Sequence, residues 1–454
     1  MMKKLFLLFL FCFALVLAGC GDKNSKLNPD NPVTLTMWHV YGSQTKSPLN
    51  DAIARFNETE GKQKGVIVKV ASVSNSSAID KALLASASKQ PGSVPMPDLF
   101  TAYPRIMTKL DTKLLLPWEQ YLSKEDLELY RSDFLKEGRY KEHLYMLPIA
   151  KSTELLFVNQ TFMDRFLQAK QLGQPNLQNY DTLFALCSQY YQWSGGKQMF
   201  QINDFYHYFL TNMAALGEDF IVKGKPNLSS AVFERIYRPM AKAAILGGLC
   251  TERGYASDRW KTGEVISNVG STAGILYLRD YVTHADNSRE DIATTFLPCP
   301  SFKEAQDKQI LLQRGTGLFA LHSKEERKNK AAVVFAQWIA QKENNFSFVT
   351  SAGYLPVNKA AMEELMAQPE KVGHRKYRQL YSVLQKVEKN GSYLALPLYE
   401  QAGQTQSKLE KNIKQILTQA HQQYLQRVQQ GEAGPALAEQ LVQSSLEQLR
   451  QAMQ

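Results

Sequence analysis

Three short patterns in the 454-residue chain border on catalytic chemistry, and none completes it. Gly270-Ser271-Thr272-Ala273-Gly274 spaces its glycines as a serine-nucleophile turn does, but its centre is threonine. Gly315-Thr316-Gly317 with Ala320 fits a relaxed dinucleotide pattern, yet residues 318–321 continue as an apolar strand where a phosphate-binding helix should open. The adjacent acids Glu325 and Glu326 fall on a helix surface, whereas glycoside hydrolysis needs two carboxylates facing each other across a cleft. There is no HExxH, and Cys187, Cys250 and Cys299 show no CxxC spacing. The chain therefore reads as non-enzymatic, with no metal and no cofactor, and with one disulfide among those three thiols left open.

A fourth cysteine has different surroundings. Lys3 and Lys4 precede an unbroken apolar stretch over residues 5–18, which includes Cys12 and leads into Ala18-Gly19-Cys20. A membrane-spanning helix needs about 20 apolar residues, so this stretch is short for that role and suits the core of a signal peptide. Small residues before Cys20 let a peptidase close on the bond, and a thiol at the new N-terminus can carry a diacylglycerol. The pattern resembles a bacterial lipoprotein lipobox. That resemblance implies a signal peptide over 1–19, thioether lipidation of Cys20, and N-acylation, for example by palmitate, in some bacteria. Residues 20–32, rich in Asn, Asp, Ser and Lys, read as a tether. The expected location is outside the cytoplasm, anchored by lipid to the bacterial cell membrane.

Composition supports a folded body. At 44% hydrophobic residues the chain is too apolar for disorder, and five cysteines are too few for a disulfide-stapled scaffold. The length suits two or three cores of ordinary size. A net charge of +10 raises nucleic acid as a partner, but the basic runs at 324–330 and 375–378 are short and diluted, so none is expected. Loss of Lys3 and Lys4 with the signal takes +10 to +8, a charge suited to a body held beside an anionic membrane.

Periodicity places alternating strands and helices along that body. Strands are expected over 33–38, 66–70, 96–100 and 155–158, and helices over 47–57, 78–88, 181–191 and 331–341. Strand, helix, strand is the grammar of a mostly parallel α/β sheet. Leu409, Ile413, Ile416, Leu417 and Tyr424 mark one face of a long helix over 404–429. Residues 431–435 break it, and a last helix follows over 436–453.

In this order, the lipobox, the tether and an opening strand ending in Trp38-His39 resemble the start of the extracellular solute-binding proteins of family 1. The resemblance continues through Pro97-Asp98-Leu99-Phe100, Leu147-Pro148-Ile149 with Ser152-Thr153, Gly263-Glu264 to Gly270-Ser271, residues 315–320, and Gly353-Tyr354-Leu355-Pro356-Val357. It implies a type II periplasmic-binding-protein-like fold: two α/β lobes joined by several chain crossings, with a helical C-terminus. Lobe 1 would take 33–147 and 296–346, and lobe 2 would take 148–295 and 347–454. The implied function is capture of a sugar or oligosaccharide between the lobes of a monomer and delivery to an ABC importer, two permease subunits with a cytoplasmic ATPase. Glycerol 3-phosphate or another polyol phosphate is the alternative, and a lipid-anchored glycosidase or a purely structural lipoprotein stands further off.

Ligands of open α/β sheets lie beyond the carboxyl ends of the strands. That rule selects Trp38, His39 and Tyr41; Ser74 and Asn75; Asp98 and Tyr103; Ser152, Thr153 and Glu154; Asn268 and Ser271; and Arg314, Thr316 and Tyr354. Aromatic rings would cover the C–H faces of a sugar, and the polar groups would meet its hydroxyls. Competing roles stand beside several of these: core for Trp38, a cap for Asp98, a turn for Ser271, and a neighbour's hydrogen bond for His39. The Arg314 guanidinium could hold a phosphate or carboxylate, or could pair with Glu154 and leave a neutral site. Phosphate-specific members resembling this chain supply an arginine where Leu396-Pro397-Leu398-Tyr399-Glu400 stands, which favours a neutral carbohydrate.

Overall fold

A computed structural model describes residues 26–42, 47–305 and 308–454; the leader, Cys12 and Cys20 lie outside them. In chain order the strands that organise the molecule are β1 (Val33–His39), β2 (Val66–Val73), β3 (Leu99–Ala102), β4 (Leu147–Pro148), β5 (Glu154–Asn159), β6 (Gln198–Ile202), β7 (Leu249–Cys250), β8 (Val265–Ser271), β9 (Thr294–Pro298), β10 (Gln309–Gln313), β11 (Gly317–Ala320) and β12 (Gly391–Ala395). They form two five-stranded sheets, ordered β2-β1-β3-β11-β4 and β7-β6-β8-β5-β9, while β10 and β12 pair separately.

Each sheet is mixed, with four strands running one way and one reversed. The reversed strands are β11 in the first sheet and β5 in the second. Each follows directly on a passage of the chain from one sheet to the other. The first passage runs from β4 to β5. The second leaves β9 and returns through β10 to β11.

β1 shows how the sequence builds this layer. Val33, Leu35 and Met37 alternate into one core beneath helices α1 (Pro48–Glu58) and, later in the chain, Glu326–Ala340. Period-two alternation sends Trp38 to the opposite face, where α2 (Ser76–Ala87) covers it with Ile79 and Leu83. Ser47 starts α1 by accepting the Asn50 amide, and Asn75 starts α2 by accepting that of Ala78, so both helices begin where strand-to-helix turns need a side-chain acceptor.

The second sheet shares one core with α3 (Phe205–Ala215), α4 (Ala231–Ile245), α5 (Ala402–Gln429) and α6 (Gly434–Ala452). Leu409, Ile413, Ile416 and Leu417 bury the predicted face of α5 against a core that includes Phe233, Ile236 and Met240. Residues 348–387 share a different cluster, in which Phe348, Leu355, Leu365 and Leu384 join Leu35 and Trp118, and helix Arg375–Asn390 also packs along β9. β9 lies wholly in the second sheet, so the second passage begins after Pro298 and not at Phe296. Short apolar helices bury an apolar face wherever they pack, and their sequence does not say which sheet they cover.

Cys187, Cys250 and Cys299 are all unpaired thiols. Burial raises Cys187 and Cys250 above the ordinary thiol range, which suits inert packing. No described helix is long and apolar enough to cross a membrane.

Candidate functional site

Where the passages meet, three segments lie side by side. Ser152 bridges Arg314 and Lys151 bridges Leu355, both in antiparallel fashion. Gly315 has φ of 112°, and a Cβ there would stand 2.7 Å from the Ala150 carbonyl, so the turn takes glycine both for its backbone and for its closeness. Beside this junction opens a cleft of about 1070 Å³ walled by both sheets. That volume is ample for an oligosaccharide-sized solute.

The carboxyl ends of the strands supply its walls. Ser74 and Asn75 follow β2, Tyr103 follows β3, Asn203 follows β6, and Ser271 ends β8; Ser152, Arg314, Thr316 and Tyr354 come from the passages. Nine of the residues selected from sequence thus line one cavity: Ser74, Asn75, Tyr103, Ser152, Asn268, Ser271, Arg314, Thr316 and Tyr354. Within it the Ser271 hydroxyl donates to Ser152 Oγ at 3.0 Å. Gly270 admits the amides of Asn203 and Asn268, because a Cβ there would fall 2.6 and 2.9 Å from their nitrogens.

Six selected residues stand behind or away from that wall. Trp38 is core, for the alternation reason given above. His39 is fully buried; the Tyr41 amide donates to its Nδ1 at 3.2 Å, so Nε2–H faces Asn50 Oδ1 at 2.7 Å. Burial lowers its pKa to about 4 against the opposing Asn50 bond, and the ring is neutral at physiological pH. Tyr41 donates to the Thr316 carbonyl at 2.7 Å and meets Tyr354 edge-on at 5.2 Å, so it braces two wall residues from behind. Asp98 lies at the amino end of β3, the wrong end for the cleft, where it accepts from the Thr36 amide at 2.8 Å and from Lys328 at 2.8 Å. Thr153 is buried beneath the junction.

Glu154 is the sixth, and its contacts decide between the two roles open to Arg314. Arg314 Nη1 donates to Glu154 Oε1 at 2.8 Å, and His207 Nδ1 lies 3.2 Å from the same oxygen. Burial opposes charge on the guanidinium, but Glu154, Tyr103 and Asp204 outweigh it and hold Arg314 above its ordinary value. Arg314 is therefore a charge already answered within the protein.

Several wall residues carried no signal in the sequence. Tyr255 and Tyr277 face the cleft with 69% and 48% of their surface exposed, unusually high for rings of that size in a cavity wall. Asp80, Lys81, Arg105 and Lys109 come from α2 and from the turn after β3, and Asp258 and Lys261 from the other side. Asp204 and His207 open α3, where Asp204 accepts the His207 amide as an N-cap. The hydrophobic run at 205–210 hides this pair, because it reads as plain core.

A cleft between two mixed α/β sheets, closed off by several chain passages, defines a two-lobed solute-binding protein. The family model for bacterial extracellular solute-binding proteins matches residues 51–373, and the chain belongs to that family. No curated protein matches it. Among solved structures it is similar to the ABC substrate-binding protein Lmo0181 from Listeria monocytogenes in complex with cycloalternan, at 10% identity, 93% of this chain, 99% of that one and a TM-score of 0.66. UgpB from Mycobacterium tuberculosis in complex with glycerophosphocholine gives 15% identity, 93% and 98% coverage and 0.64. Maltose-bound T. maritima MalE3 gives 14%, 92% and 99%, and 0.62. These likenesses share the fold across nearly the whole chain.

Proposed function

We propose that the protein is the carbohydrate receptor of an ABC importer, anchored outside the cytoplasm by lipid on Cys20, and that it binds as a monomer and catalyses nothing. The observation that carries the carbohydrate reading is the pairing of two exposed rings, Tyr255 and Tyr277, with a wall of hydroxyls and amides in a cleft of about 1070 Å³. Rings of this kind cover the apolar C–H faces of a sugar, and Ser74, Ser152, Asn203 and Asn268 answer its hydroxyls. Solved neighbours that hold maltose or cycloalternan add weight. The sheets serve as lobes, 33–148 with 317–390 and 154–298 with 402–454, and the bridged passages between them serve as the hinge. A ligand touching both lobes shifts the molecule toward the closed form that the permease recognises.

The carboxylates in the wall support a binding role. Asp80 is held by Arg105, Asp258 by Lys261, and Asp204 accepts from Gln406 at 2.7 Å and lies 3.6 Å from His207. Each already has a partner inside the protein.

The test is a thermal-unfolding screen of the full chain against neutral and acidic mono- and oligosaccharides, polyols and glycerol phosphates. A true ligand at 100 times its Kd adds about 2.7 kcal/mol of stability. If no solute moves the midpoint while a chromogenic glycoside is hydrolysed, the receptor reading fails. Tyr255→Ala and Tyr277→Ala are each expected to weaken binding by about 0.5–1.5 kcal/mol. Because both rings are exposed, the unliganded midpoint stays in place; a large fall in it would make them structural instead.

A further inference from the structure

With Asp204 counted among its carboxylates, the cleft lining still holds more cations than anions, and the surplus is gathered at one place. Among the described residues, Arg314 pairs with Glu154, Arg105 with Asp80 and Lys261 with Asp258. Lys81 and Lys109 take part in no ion pair among the described residues, although both line the cavity. Arg105 spends Nε and Nη2 on a single oxygen of Asp80, at 3.1 and 2.7 Å, which leaves Nη1 for another acceptor. α2 and the turn after β3 therefore hold three cations against one carboxylate.

The facing wall makes the imbalance sharper. α5 begins there at Ala402, with no side-chain cap on Gln401 and no acidic residue in its first turn. A Cβ on Gly403 would lie 3.4 Å from Arg105 Cδ and 3.6 Å from Lys109 Nζ, so the lobes bring two cations against the positive end of a 28-residue helix. Gln404 and Ser407, one turn on, line the same space. Asp204 answers part of the charge on this helix by accepting from Gln406 at 2.7 Å, and a negative group placed beside the lysines and the helix start would contact both lobes at once.

We propose that the captured carbohydrate is acidic, and that its anionic group, a carboxylate or a phosphate or sulfate ester, binds between Lys81, Arg105 and Lys109 on one lobe and the first turn of α5 on the other. This rests on the carbohydrate reading above and adds to it a charge on the ligand. It also gives closure a source of energy, since an anion that contacts both walls binds the closed form better than the open one.

Calorimetric titration of the full chain with matched pairs tests it: trigalacturonate against galactotriose for a carboxylate, and maltotriose 6-phosphate against maltotriose for a phosphate. The expected result is that one acidic member binds at least about tenfold tighter than its neutral partner, that added salt narrows the gap, and that Lys81→Gln/Lys109→Gln removes most of it. Both lysines are exposed, so the unliganded midpoint of that variant should match the parent. Neutral members binding as tightly as acidic ones would overturn the acidic ligand and leave the carbohydrate receptor standing. Failure of every saccharide to bind would overturn both.

Discussion

Replacing Lys151 by methionine should lower the stability of the unliganded protein by about 3–5 kcal/mol. Lys151 is fully buried at the junction of the passages and ion-pairs with Glu137, whose side chain is 4% exposed. Gln313 donates to the same Glu137 oxygen at 3.0 Å, so one carboxylate gathers the first passage, the second passage and the first lobe. Methionine fills the lysine's volume but leaves the carboxylate in a low-dielectric site with one neutral donor. The cost is that of the uncompensated charge and not the net worth of the pair. The double variant Lys151→Met/Glu137→Leu removes both charges and is expected to recover most of the loss. Urea unfolding of the three proteins checks it. A single-variant loss below about 1 kcal/mol would show that Glu137 finds another partner.

Glu410→Gln should make the protein more stable at pH 8 by an amount on the order of 3 kcal/mol, and change it little at pH 5. Burial and the neighbouring Asp204 push the Glu410 carboxyl up to about 8, against the pull of Lys414, 3.5 Å away, and the Tyr206 amide at 2.9 Å. Asp204 itself is held below its ordinary value: burial opposes ionisation, but His207 and Arg314 outweigh it. The two carboxyls thus separate into one acid and one anion. Between about pH 4.5 and about 8 the unfolded chain has lost the Glu410 proton and the folded chain has kept it. Stability therefore falls as pH rises through that window. Asp204 acts in the opposite sense, contributing stability above the ordinary aspartate range that is lost as pH falls through its depressed value. Glutamine mimics the protonated acid at every pH, so a midpoint that varies with pH in the parent should vary less in the variant. Equal pH dependence in both would place the proton elsewhere.

What could be read from the chain alone was whatever repeats or sits at a strand end. β1, α1 and the long face of α5 follow from periodicity, the two-lobed class follows from the family resemblance, and nine of fifteen selected residues line the cleft. The misses have physical reasons. Trp38 and His39 sit on strand positions whose facing depends on which layer covers each side, and Asp98 marks a strand's beginning where the rule needs its end. Tyr255, Tyr277 and Lys109 lie in segments with no periodic pattern, Lys81 sits on the exposed face of the expected helix over 78–88, and only the folded chain brings them to one cavity. For Arg314 the sequence left two roles open, an anion or Glu154, and only the fold, which brings Glu154 to it across 160 residues, shows the pair.

β11 has a consequence for the birth of the molecule. It lies between β3 and β4, forming the reversed strand of the first sheet, yet it is made roughly 170 residues after β4. At about 5–20 residues per second, the ribosome leaves that sheet open for roughly 10–30 s with unpaired edges on β3 and β4. The first lobe cannot finish before most of the second has been synthesised. The late arrival of this one strand keeps the first sheet incomplete until most of the chain has been made.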